Sequence, residues 1–104
     1  MRKAIILVHG KRAGVLIEEN SGNYEFIYDN HYEGEAVSLT MPLTQKNYSF
    51  AKFPSFFEGL LPEGIMLEGL LKIGKIDKHD YFSQLLATGS DLVGAVTVKE
   101  WKDE

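Results

Sequence analysis

The sequence predicts an α+β domain, a small antiparallel β-meander of about 4–5 strands packed with about three short helices. Two observations predict it. From Lys3 to about Leu43, short β-branched or aromatic runs alternate with turn residues, the pattern of strands and hairpins. From about Ser49 the apolar period changes from two to roughly 3.6, the pattern of amphipathic helices. Size bounds the result: 104 residues, 44% of them hydrophobic and 12% aromatic, make one modest core. A chain this short buries roughly two-thirds of its unfolded surface, which excludes a full kinase, synthetase or dehydrogenase.

Ala4 to Val8 is apolar on both faces, as expected of a central strand. His9-Gly10-Lys11-Arg12 supplies a turn, and Ala13 to Glu19 forms a second strand with Val15 and Ile17 on one face. Asn20-Ser21-Gly22-Asn23 reverses the chain, because Gly and Asn tolerate positive φ. In Tyr24-Glu25-Phe26-Ile27-Tyr28-Asp29 the three aromatics alternate and share a face. Ala36 to Leu39 is a shorter fourth strand, closed by Pro42. Pro54 suits the first position of a helix whose stripe is Phe56, Phe57, Leu60 and Leu61, stopped by Pro62. A second helix starts at Pro62-Glu63-Gly64 and reaches about Ile73, with Gly74 as its C-terminal cap. Asp77 and Asp80 resemble a capping box for a third, striped by Tyr81, Phe82, Leu85 and Leu86 and ended by Gly89. Gly94 to Trp101 returns to strand character.

Charge and composition narrow the function. Eleven Lys+Arg against 15 Asp+Glu leave a net charge of −4, and the longest basic run is Lys11-Arg12, which argues against direct nucleic-acid binding. Without cysteine there is no disulfide, thiolate nucleophile or Cys-ligated zinc. No run approaches the ~18 apolar residues of a membrane span, and the apolar stretch after Met1-Arg2-Lys3 is too short for a signal peptide, so a cytoplasmic address is expected. His9, His31 and His79 lack ligand spacing. Ser83 and Ser90 lack a nucleophile elbow, and there is no phosphate loop or Gly-x-Gly-x-x-Gly. Asp77, His79 and Asp80 form the one acid/base cluster, which a capped helix start also explains. The expectation is a non-enzymatic protein with no cofactor and no metal.

The second helix is the informative element. Advancing about 100° per residue puts Met66, Leu67, Leu70 and Leu71 on one stripe, the expected buried face. Ile65 falls opposite, beside Glu68, Gly69 and Lys72. An apolar residue there is either an ordinary exposed side chain or a partner anchor. In the second reading Gly69 allows close approach, at a cost of about 1 kcal/mol in helix propensity.

Phe56-Phe57-Glu58-Gly59-Leu60-Leu61-Pro62-Glu63-Gly64, followed by Thr88-Gly89-Ser90-Asp91-Leu92-Val93-Gly94-Ala95-Val96, resembles the paired signature of the HipA toxin-kinase N-terminal subdomain. Gly10, Gly14 and the string Ser38-Leu39-Thr40-Met41-Pro42-Leu43 are also similar to that family, so the likeness spans residues 1–104 as one domain. The family's kinase domain, with its catalytic aspartate and metal-binding residues, is missing from this sequence. The resemblance therefore implies a stand-alone subdomain of the kind that acts as antitoxin (HipS) to a separate HipA-like serine/threonine kinase (HipT). It also implies a complex including a DNA-binding HipB-like protein.

Under this reading the partner surface is Glu63, Gly64, Ile65, Met66 and Gly69. Phe56, Phe57, Leu60, Leu61 and Pro62, with Gly89, Asp91 and Gly94, form the packing framework behind it. Inhibition would obstruct the active-site cleft or restrain its closure. Two alternatives stand beside it: an N-terminal fragment of a full-length HipA-type kinase, and a small ligand-binding domain or enzyme using Asp77, His79 and Asp80. The Met1 start and the charged end Lys102-Asp103-Glu104 suit a natural open reading frame and a shortened chain equally.

Overall fold

Two glycine-dependent features shape the first hairpin. In the computed structural model, which describes residues 1–92 and 94–101, β1 (Arg2–Val8) turns into β2 (Lys11–Glu18) through His9 and Gly10 alone. Both have positive φ, 50° and 79°, the backbone that matches the twist of a two-residue hairpin. The pairing then slips one residue, Ile6 facing Gly14 while Leu7 faces Arg12, so Ala13 bulges out of the ladder. Gly14 is confined by β3: a Cβ there would stand 2.3 Å from the Ile27 carbonyl oxygen.

β3 (Tyr24–Tyr28), β4 (Asn47–Phe50) and β5 (Val96–Glu100) complete an antiparallel five-stranded sheet in the order β4-β3-β2-β1-β5. The first and last strands are thus neighbours, Ile6 opposite Val98. The three helices α1 (Ser55–Glu58), α2 (Gly64–Gly74) and α3 (Tyr81–Thr88) intervene between β4 and β5. Phe57, Leu61, Phe82 and Leu85 join Ala4, Ile6, Leu16, Phe26 and Val98 in one buried cluster, which places the helical layer on a single face of the sheet. The α+β meander with three short helices is as the sequence predicts, including the alternating aromatics of β3, with Phe26 and Tyr28 buried.

Several boundaries differ. The fourth strand is Asn47–Phe50, not Ala36 to Leu39, and the helical region begins only at Ser55. The expected strand makes one isolated bridge, Ser38 to Met41. Its backbone is held by a side chain instead: the Tyr28 hydroxyl accepts from Val37 N at 2.9 Å and donates to the Met41 carbonyl at 2.5 Å. Pro54 precedes α1 at φ −59°, ψ 130°, outside the helix. α1 ends at Glu58, before Pro62, as Leu60 and Leu61 donate to Phe57 and Glu58 in tighter three-residue turns. Gly74 is the last helical residue of α2, and Lys75 takes the left-handed turn at φ 53°. Asp80, not Asp77, caps α3, accepting from Ser83 N at 3.1 Å, whereas Asp77 accepts from His79 N at 2.7 Å. Val93 and Lys102-Asp103-Glu104 lie outside the described residues.

Candidate functional site

Pro62, Glu63 and Gly64 aim α2. Glu63 is extended (φ −128°, ψ 164°) and Gly64 left-handed (φ 61°), a corner that a side chain at 64 would strain. The helix it launches rests on α3 and contains no buried residue. Ile65, Met66 and Ile73 are 85%, 77% and 87% exposed, while Leu67, Leu70 and Leu71 are half-buried. The expected buried stripe is corrected: Met66 faces solvent and Leu67, Leu70 and Leu71 are only half-buried, because among the described residues α2 lies on the outside of α3. Ile65 and the neighbouring Glu63 are exposed.

A cavity of about 790 Å³ lies beside this helix, between Met66, Gly69, Leu70 and Ile73 on one side and Leu60, Leu61, Pro62 and Leu92 on the other. A Cβ at Gly69 would meet nothing within 4 Å, so its missing side chain widens the opening. Thr88 and Asp91 also line the cavity, and the Asp91 N–H donates to the Thr88 carbonyl at 2.9 Å. The two halves of the sequence motif thus converge on one apolar groove with acidic Glu63 and Asp91 near its margin. Phe57 is buried, Leu61 nearly so, and Phe56 and Leu60 are half-buried against the core. Gly89 is buried and accepts from Val98 N at 2.9 Å, and Gly94 turns the chain at φ 103°. Of the groove residues missed from sequence, among them Leu70, Thr88 and Leu92, Ile73 is the most exposed side chain. Its position four after Gly69 and seven after Met66 was the available signal.

The alternative cluster is spent on structure. Asp80 accepts from Arg2 Nη2 at 2.9 Å and from Ser83 Oγ at 2.6 Å, and Arg2 Nε donates to Glu18 at 2.7 Å. Arg2 also lies 4.9 Å from the Phe82 ring centroid, which ties β1 to both β2 and α3. His79 is exposed, and no hydrogen bond joins its ring to either aspartate among the described residues. No group of three His, Cys, Asp or Glu among the described residues could hold a metal ion.

The ion cluster sets a pH dependence. The hydrogen bond from Arg2 pulls Glu18 below its ordinary value, against burial. At Asp80 burial pushes upward, but the hydrogen bonds from Arg2 and Ser83 outweigh it and the net shift is down. Burial and the bond to Glu18 raise Tyr24 to about 12. Carboxylates depressed in the folded state stabilise it fully above their unfolded values, about 4, and lose that contribution as pH falls through the folded ones. The urea midpoint should therefore fall below about pH 4. Arg2→Gln should flatten that acid limb, and an unchanged slope would remove the cluster from the account.

A family model described as the HipA N-terminal domain matches residues 4–99. The chain belongs to the HipA N-terminal domain family. A solved structure described as the N-terminal domain of HipA toxin superposes with a TM-score of 0.79 at 27% identity, covering 100% of this chain and 96% of that one. An uncharacterized protein of Haemophilus influenzae is 30% identical over 102 residues, 98% of this chain and 95% of that protein. In this HipA N-terminal domain the Phe-Phe-x-x-Leu-Leu-Pro-Glu-Gly string supplies core residues and then the α2 corner. The Gly89 segment supplies the facing wall. Among the described residues no helix is long and apolar enough to cross a membrane.

Proposed function

We propose that this chain is a non-catalytic antitoxin that binds a separate HipA-like serine/threonine kinase and holds it inactive, with α2 as the docking element. The observation that carries the reading is the uncovered helix: Ile65, Met66 and Ile73 stand in solvent beside an apolar groove that Gly69 leaves open. Exposed large apolar side chains clustered with a groove are the usual mark of a recognition surface. The Haemophilus relative supports a free-standing role, since this domain accounts for 95% of it. Glu63, Asp91 and a net charge of −4 suit a basic kinase surface, so association should slow as salt rises. A complex that also holds a DNA-binding HipB-like protein fits the same reading.

The experiment is co-purification with a HipA-like kinase encoded beside this gene, followed by a kinase assay with and without the domain. Binding and loss of activity are expected, and absence of association would end the proposal. Ile65→Asp should weaken binding by at least about tenfold, the scale of an apolar anchor, while moving stability by no more than about 0.5 kcal/mol. Unchanged binding would remove Ile65 as the anchor.

A further inference from the structure

We propose that the kinase-binding surface has a second contact point at Leu39, joined to α2 by one apolar trough; the inference rests on the kinase reading above. Leu39 is wholly exposed at the tip of a tight turn. A lone exposed leucine is ordinary, but this one is held rigidly. The Met41 N–H donates to the Ser38 carbonyl at 3.0 Å, and Ser38 Oγ accepts from the Thr40 N–H at 3.2 Å. Val37 and Met41, on either side, are buried in the core, and the Tyr28 hydroxyl fastens the backbone of both. One residue further on, the Tyr48 hydroxyl donates to the Pro42 carbonyl at 2.5 Å. A turn braced at both ends loses little freedom when a partner settles on it, which is the preorganisation that favours an anchor.

The surroundings of Leu39 tie it to α2. With Glu35, Ala36 and Phe56 it lines a cavity of about 670 Å³. Ala36 and Phe56 line a second, of about 250 Å³, together with Leu60, and Leu60 is also a wall of the α2 groove. Shared walls make the three depressions one trough, running from Ile73 past Leu60 and Phe56 to Leu39. A standard interface covers about 800 Å² per partner, a patch roughly 30 Å across. Two of the three principal extents of the domain are 30 Å, so a single partner seated on α2 reaches Leu39.

Charge gives the chemistry of the occupant. Glu35 and Asp91 are among the walls of the trough, and no Lys or Arg lines any of the three cavities. Exposed Glu58 and Glu63 flank its Gly59 to Pro62 segment. His9 Nε2 stands 3.2 Å from Glu35 at one end, whereas Asp91 is in no ion pair among the described residues. Two of the strand cations are engaged away from the trough, Lys3 and Arg12 lying 5.4 and 5.1 Å from the Trp101 ring centroid. The face of the kinase that fits is therefore an apolar ridge flanked by Lys or Arg.

The test is titration of the purified HipA-like kinase by biolayer interferometry, with circular dichroism melting of each variant. Leu39→Ser should weaken affinity at least about tenfold, the scale of leaving out one buried leucine, and should keep the wild-type melting point. Asp91→Lys should slow association at least about threefold. A wild-type chain that does not bind ends the kinase reading and this inference together. Binding that Ile65→Asp weakens but Leu39→Ser leaves intact overturns the second contact alone, and an unslowed Asp91→Lys overturns the basic flank assigned to the kinase.

Discussion

Gly89→Ala should cost about 3 kcal/mol or more, although it adds one methyl group. A Cβ at this position would lie 2.1 Å from the Val98 carbonyl oxygen and 2.8 Å from its carbon. These are backbone atoms of an ordered strand, so no side chain can swing away. Relief requires separating the end of α3 from β5, which breaks the bond from Val98 N to the Gly89 carbonyl. A small domain holds about 5–15 kcal/mol in total, so the loss is a large fraction of it. The urea midpoint should fall by roughly 2 M at a slope near 1.5 kcal/mol/M. Gly69→Ala is the opposite case. Its Cβ meets nothing within 4 Å, and replacing a mid-helix glycine gains about 1 kcal/mol. Equal effects at the two glycines would refute the steric account of position 89.

Phe57→Ala should be comparably severe, about 3–5 kcal/mol, by leaving a cavity in a filled core. Phe57 is fully buried, with its ring 6.2 Å from Phe26 and 5.2 Å from Phe56, centroid to centroid. Chemical denaturation reads the loss directly. The same variant should also lose kinase binding, because α1 holds the Pro62 corner that aims α2. Stability separates this from Ile65→Asp, which should lose binding and keep its melting point. If Phe57→Ala kept the wild-type denaturation midpoint, the packing role assigned to the motif would fail.

Periodicity made the meander and the helical stripes legible, because alternation in Tyr24–Tyr28 and the paired spacings of Phe56 to Leu61 and Tyr81 to Leu86 each match one geometry. The fourth strand was misplaced for a local reason. Ala36 to Leu39 has a strand-like composition, yet a distant hydroxyl, that of Tyr28, satisfies its backbone. Asn47–Phe50 does alternate, with Asn47 and Ser49 exposed and Tyr48 and Phe50 half-buried, but four residues are a faint signal. On α2, spacing located the apolar residues without saying how many layers would cover them. Met66 and Ile73 are exposed because, among the described residues, α2 rests on α3 and buries none of its own side chains fully.

The pairing of β1 with β5 joins residues 4–8 to residues 96–100, nearly the whole chain apart. During synthesis β1 and β2 emerge early and can close their two-residue hairpin at once, yet β1 keeps one hydrogen-bonding edge bare until β5 leaves the ribosome. Until then Gly89 has no strand to rest on, so α3 cannot seat either. A nascent chain therefore becomes a folded domain in a late, cooperative step, with a low-contact hairpin waiting for its distant partner. Premature termination before Val96 should yield an aggregation-prone polypeptide with an open strand edge instead of a smaller working domain.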